Sequence, residues 1–380
     1  MNKKNIYLMY IIIFLQSLVF YGSIATLYRT QRGISLGQIY FIESVYFIIV
    51  IVMELPWGYI ADRFGYKKTL IIANFIYFLS KILFYKAHSF IGFLFERIFL
   101  AIALAGLSGC DMAYLYNSID EKKLSDKVFS RYNFYATLGF LAASTLSSLI
   151  VQISIESTVF FTIIAYGIAF ILSLFLGEVK KENINTSIKK DFKELLNNRG
   201  IILFIISITL VSEVVQSITV FLNQEKYISC GIDLKYFGII LALSQIICLA
   251  TGKVYKIKKH FGEKKYILGI YIGIIIAVIM LIFTSSALIS VLSVMLVALS
   301  NALMPPVVMS IQNDSITSGD RATILSMYSI IGSVFSGIVN PVIGIAADYS
   351  LTVSFVICMI MVIGAYILMR TYLKSRIIKE

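Results

Sequence analysis

With 380 residues, 59% of them hydrophobic and only 14% charged, the chain lies far from a soluble domain, in which about a quarter of residues carry charge. Its mean hydropathy of +0.87 and its recurring apolar stretches, each about 20 residues long and so matched to a bilayer core, exclude a soluble globular fold. The formal net charge of +12 raises nucleic acid as a partner, a class that the placement of the basic residues makes unnecessary.

Apolar windows between polar breaks predict helices near 6–28, 38–61, 69–87, 90–112, 131–153 and 158–177. They resume near 200–222, 235–256, 266–284, 287–311, 321–346 and 351–372. The first run follows Lys3 and Lys4 but is longer than a signal-peptide core, lacks a small-residue cleavage site and leads into further spans. It therefore reads as a transmembrane helix. The pattern is an all-α membrane protein with twelve transmembrane helices in two pseudo-symmetric six-helix bundles, residues 1–177 and 200–380. A cytosolic central loop, 178–199, joins them as a solvated tether.

With the N-terminus inside, 26 basic residues fall in inner loops and tails. Five fall outside (Arg29, Arg32, Lys86, Lys226 and Lys235), and Lys81 and Arg97 lie within spans. This bias orients the chain by the positive-inside rule, with both termini cytosolic. Short loops and an Ile- and Lys-rich composition suit a bacterial cytoplasmic membrane. Cys110, Cys230, Cys248 and Cys358 have no paired spacing and read as small buried hydrophobes. A monomer is expected, in contact with the lipid bilayer.

The two halves echo each other. "DRFGYKK" (62–68) follows the second span, and "KHFGEKK" (259–265) follows the eighth. Duplicated halves mark secondary transporters, whose substrate sites lie near the midplane.

Gly58-Tyr-Ile-Ala-Asp62-Arg63-Phe-Gly65-Tyr-Lys67-Lys68 resembles the signature loop between helices two and three of the major facilitator superfamily. That signature reads Gly, three residues, Asp, Arg or Lys, any residue, Gly, then two or three basics. Glu54-Leu-Pro56 and "SGCDMAYLYNS" (108–118) are similar to drug-exporter-like branches of the same family. The resemblance covers the whole chain. It implies that Asp62 accepts from the start of helix eleven, near Asp320 to Ala322, when the cytosolic side closes. Gly58 and Gly65 then serve close packing or a positive φ, and Arg63, Lys67 and Lys68 pair with acids of neighbouring loops. Glu54 joins this inner gate. Tyr66 stands where the signature usually has a basic residue.

A charge at mid-bilayer costs about 2.5–3.5 kcal/mol on insertion scales, so each one needs a reason. Glu213 falls midway along helix seven and opens a polar stripe with Gln216, Ser217 and Gln224. In the family that helix lines the central cavity, so Glu213 is the first candidate for a proton-binding or cation-recognising carboxylate. Arg97 on helix four resembles an arginine tied to proton coupling in exporters, although Ala101 replaces the glycine expected beside it. It also suits an anionic substrate group or a pairing with Glu96. Glu43 and Glu54 are eleven residues apart, three turns of one helix, and Glu43 is a candidate for proton entry. Lys81 reads as a side chain that snorkels outward, and Asp348 as exposed. Ser326, Ser329, Ser333, Ser336 and Asn340 form a stripe on helix eleven, and Asn301 precedes an interruption at Pro305-Pro306. These are read as cavity-lining.

No G-x-x-x-x-G-K-[ST] is present, "GISLG" (33–37) falls in a short loop, and His88 and His260 lack metal-ligand spacing. No enzyme, metal or cofactor is expected. The expectation is a secondary active transporter working by alternating access, with protons and a small-molecule substrate as partners. Proton-coupled export of drug-like or amphipathic molecules is the leading form, although helix five lacks the Gly-Pro signature of the family's antiporters. Proton-coupled uptake of a polar or anionic metabolite is the alternative. A non-transporting receptor or assembly protein on the same fold is the third.

Overall fold

The computed structural model describes residues 3–119, 121–179, 199–249, 258, 260, 262–315 and 321–377, and every regular element among them is helical. In chain order these are α1 (Lys3–Gln16), α2 (Ala25–Thr30), α3 (Leu36–Phe64), α4 (Tyr66–Lys86), α5 (Phe90–Leu107), α6 (Cys110–Asn117), α7 (Ser125–Ile150) and α8 (Ile155–Leu174). Then follow α9 (Arg199–Gln216), α10 (Asn223–Ser229), α11 (Phe237–Leu249), α12 (Glu263–Phe283), α13 (Ala287–Ala302), α14 (Pro305–Ser315), α15 (Arg321–Tyr349) and α16 (Leu351–Ile377). Ten helical stretches among the described residues are long and apolar enough to cross a membrane. The broken α1–α2 segment and the shorter helix ending at Leu249 complete the twelve spans.

The glycines of the two "FG" copies share one backbone conformation. Gly65 has φ 83° and ψ 159° as the cap of α4, and Gly262 has φ 77° and ψ 151° as the cap of α12. This backbone region is essentially closed to residues with a Cβ, so glycine is required at both turns. Gly58 differs. It lies inside α3, and a Cβ there meets nothing within 4 Å among the described residues.

Four spans are interrupted. The first predicted helix breaks between Gln16 and Gly22. The fourth breaks at Ser108–Gly109, where Gly109 adopts φ 75°. The seventh contains a π-helical turn at Ser217–Leu222, and the tenth is split at Leu303–Met304 before Pro305. These are the first and fourth spans of each predicted set of six. Such breaks in corresponding segments mark binding regions in duplicated membrane proteins.

The chain forms two compact units. One holds the described residues of 1–34, 45–183 and 234–242, the other those of 35–44, 184–233 and 243–380. In the first, Tyr10, Tyr114, Leu115 and Tyr132 form a buried cluster. Trp57 is buried against Gly106, where a Cβ would lie 2.7 Å from the indole. Its Nε1 donates to the Ile102 carbonyl at 2.8 Å. In the second unit, Ser207 bonds both the Tyr271 hydroxyl (2.8 Å) and the Ala365 carbonyl (2.6 Å). Many large apolar side chains remain exposed, Leu55, Ile153, Phe283 and Ile345 among them, as suits surfaces facing lipid acyl chains.

Candidate functional site

In the second unit, α9 carries Glu213 into a cavity of about 480 Å³ that Thr209, Ser212, Gln312, Ser329, Ser333 and Ser336 also line. Glu213 is only 4% exposed. The Ser336 hydroxyl donates to its Oε1 at 2.6 Å, and Asn340, one turn further along α15, lies beside it. Glu43, 1% exposed on the first turns of α3, is the neighbouring carboxylate. Tyr40 lies near both carboxylates and Ser217, its ring 5.1 Å from Phe221. Two helix stripes and a third helix thus meet at one buried acidic pair. Burying such groups is costly unless they are held by hydrogen bonds, and Ser336 supplies one.

The helix-seven stripe is interrupted. Glu213 and Ser217 share a face, but the π turn from Ser217 alters the i, i+3, i+4 register beyond them. Gln216 is half-buried and does not line the cavity, and Gln224 turns its amide to the Val220 carbonyl at 3.0 Å. Asn301 is exposed at the end of α13, outside the cavity lining. The side chain of Ser326 and residues 316–320, which include Asp320, lie outside the described set.

The first unit holds the basic residues. Arg97 is half-buried, with its guanidinium carbon 4.7 Å from the Tyr46 ring centre. Glu96 is paired with Arg29 at 3.6 Å, both buried, so that acid is engaged by another arginine. The sequence reading assigned Arg29 to an outer loop; the structure tucks it under Phe84 and Phe93. Lys81 also corrects the sequence reading. It does not snorkel but is 3% exposed, donates to the Tyr21 hydroxyl at 3.0 Å and lies 4.8 and 5.1 Å from the rings of Tyr77 and Tyr166. Cation–π attraction inside a dry cage offsets part of its desolvation. Tyr77 lies one turn before Lys81 on α4, but periodicity within α4 cannot reveal the walls that Tyr21 and Tyr166 supply from elsewhere in the chain.

The signature loop lies at the C-terminal end of α3. Glu54, Asp62, Arg63 and Lys68 are exposed. Arg63 donates to the Tyr59 hydroxyl at 3.1 Å, and Lys67 reaches Glu178 at 3.9 Å. At the other end of α3, the exposed Asp348 accepts from the Gly37 amide (2.8 Å) and the Ser35 hydroxyl (2.9 Å). Gly344 and Gly37 permit the close crossing there: a Cβ on Gly344 would lie 3.1 Å from the Gly37 Cα. In the first unit, Ser148 accepts from the Ile239 amide at 3.0 Å. Neither cap could be found from the sequence, because each joins residues far apart in the chain.

A family model described as the Major Facilitator Superfamily matches residues 6–341. An uncharacterised MFS-type transporter of Methanocaldococcus jannaschii is 23% identical over 378 residues, covering 93% of this chain and 95% of that protein. The class E tetracycline resistance protein of Escherichia coli is 24% identical over 191 residues, 45% of each chain. The solved structure of the nucleoside transporter NupG shares the fold with a TM-score of 0.81 at 18% identity, covering 97% of this chain and 99% of that one. The chain belongs to the Major Facilitator Superfamily.

Proposed function

We propose that this protein is a proton-coupled secondary transporter that works by alternating access and exports amphipathic small molecules. The observation that carries the reading is Glu213: a buried carboxylate on a cavity wall, held by Ser336, with Asn340 beside it and Glu43 adjacent. Two neighbouring carboxylates at the edge of a polar cavity are a place to take up and release a proton. Substrate and proton would compete for that wall, and their alternate occupancy would couple the two fluxes. Similarity over part of the chain to a tetracycline resistance protein supports the outward direction. The assignments of Asp62 and its loop to a cytosolic gate, of Glu54 to the same network and of Gly58 to close packing in the closed state belong to this proposal. So do residence in the cytoplasmic membrane with both termini cytosolic, action as a monomer, and the absence of catalysis.

The second reading is proton-coupled uptake of an anionic metabolite. The gathering of Arg29, Lys81 and Arg97 in one unit around Glu96 favours it. Purified protein in proteoliposomes with an imposed pH gradient separates the two. Proton release from the acidic side on adding a lipophilic cation or neutral drug supports export. Proton movement alongside an added organic anion, and with nothing else, supports uptake.

A further inference from the structure

The motif "SGCDMAYLYNS" (108–118) has no part in the coupling site, yet the structure builds a second cavity around it. Gly109, at φ 75°, ends α5 and starts α6, turning Asp111 into a cavity of about 380 Å³ within the first unit. Asp111 is the one charged side chain among the thirteen residues that line it. Its Oδ2 accepts from the Tyr132 hydroxyl at 3.0 Å and its Oδ1 from the Met112 amide at 2.7 Å. Tyr132 is itself 5% exposed.

Several donors around the cavity are engaged within the protein, while the Ser108 and Tyr77 hydroxyls also line it. Gln16 Nε2 is given to Asn74 Oδ1 at 2.6 Å, Asn74 Nδ2 to the Leu70 carbonyl at 2.7 Å, and the Ser17 hydroxyl to the Ile13 carbonyl at 2.8 Å. The Tyr132 hydroxyl is given to Asp111. The acceptors are not exhausted, because a carboxylate has about four lone-pair sites and Asp111 has three donors, its own amide being the third. Lys81, one turn beyond Tyr77 on α4, is held by its aromatic cage and does not line the space. Six apolar side chains, among them Met9, Ile12, Leu104 and Leu107, cover the rest of the wall.

A cavity with one negative charge, spare acceptors and an apolar wall suits a ligand that brings both a positive charge and N–H donors on a hydrophobic body. We propose that the Asp111 cavity is the docking site for the protonated amine of an amphipathic organic cation, with Asp111 as its counter-ion and the rings of Tyr77 and Tyr132 alongside. An anion would meet like charge there. The inference rests on the export reading in that it names the class of molecule exported.

The test is equilibrium binding to purified, detergent-solubilised protein at pH 7 with no pH gradient, so proton coupling does not enter the readout and a failure of the Glu213 proposal is seen separately in flux. The probes share one indole skeleton and differ in charge: tryptamine (cation), tryptophol (neutral) and indole-3-acetate (anion). The proposal expects saturable tryptamine binding at least about tenfold tighter than tryptophol, the scale of a charge-assisted contact, and weaker binding still of indole-3-acetate. Asp111→Asn should lower tryptamine affinity to the level of tryptophol, and Asp111→Glu should restore most of the difference. Tyr132→Phe, which keeps the carboxylate, should keep the preference for the cation and so guards against a folding artefact. Absence of saturable tryptamine binding, equal affinity for tryptophol, or a cation preference that survives Asp111→Asn would overturn the proposal.

Discussion

Ser336 donates a hydrogen bond of 2.6 Å to Glu213 across 123 residues of sequence, and this contact ties the helix-eleven stripe to the helix-seven carboxylate. Removing it leaves a buried carboxylate one donor short, at a cost of about 1–3 kcal/mol. Ser336→Ala should therefore lower the thermal unfolding temperature in detergent and slow proton-coupled flux in proteoliposomes. Ser336→Thr, which keeps the hydroxyl, should retain more of both than the alanine variant.

The glycines of the repeated turn should respond unlike the glycine of the helix. Gly65 and Gly262 have positive φ with extended ψ, so alanine at either costs about 1–3 kcal/mol of backbone strain. Gly58 is helical with open space around its Cα, and alanine there should gain a few tenths of a kcal/mol, up to about 1. Thermal melts of the three alanine variants check this ordering. If Gly58→Ala is stable yet slow in transport, Gly58 packs closely in another state of the cycle, as the gate proposal requires.

Arg29 and Glu96 are both buried, so removing one strands the other. Arg29→Met should destabilise by about 3–5 kcal/mol, whereas exchanging both for neutral residues of similar volume, Arg29→Met with Glu96→Gln, should recover most of that loss. A double-variant cycle by thermal unfolding measures the coupling. Additive effects of the two substitutions would show that the 3.6 Å pair contributes nothing.

Asp348 caps the first turn of α3 through the Gly37 amide. Asp348→Ala should cost about 0.5–2 kcal/mol, and Asp348→Asn much less, since asparagine caps nearly as well. Hydrogen exchange at Gly37 and its neighbours reads this locally. The alanine variant should speed exchange there, with little change along α12, which lies far away in sequence.

Much of the helical framework was legible because apolar length is a strong signal, and the two "FG" turns were legible because a duplicated glycine has a single conformational use. The candidate carboxylates were legible singly, since an acid in an apolar helix stands out. Their meeting was not. That Glu43 lies beside Glu213, with Tyr40 against Ser217, follows from packing between helices that no periodicity within one helix contains. The π turn at Ser217–Leu222 has no Gly or Pro to announce it, which is why the stripe from Glu213 to Gln224 was read as continuous. Arg29 looked like a loop residue because polarity near a helix end gives no sign of a buried acid waiting for it. Lys81 escapes for a related reason: two walls of its aromatic cage, Tyr21 and Tyr166, come from segments far from it in sequence.

The central claim is that Glu213 couples proton movement to transport. The most direct test is substrate-driven proton flux in proteoliposomes, with native protein and Glu213→Gln reconstituted at equal density and the lumenal pH followed by a trapped dye. The account predicts proton flux on substrate addition in the native protein and its loss in Glu213→Gln, with downhill substrate exchange surviving in the variant. Undiminished proton coupling in Glu213→Gln would contradict the account.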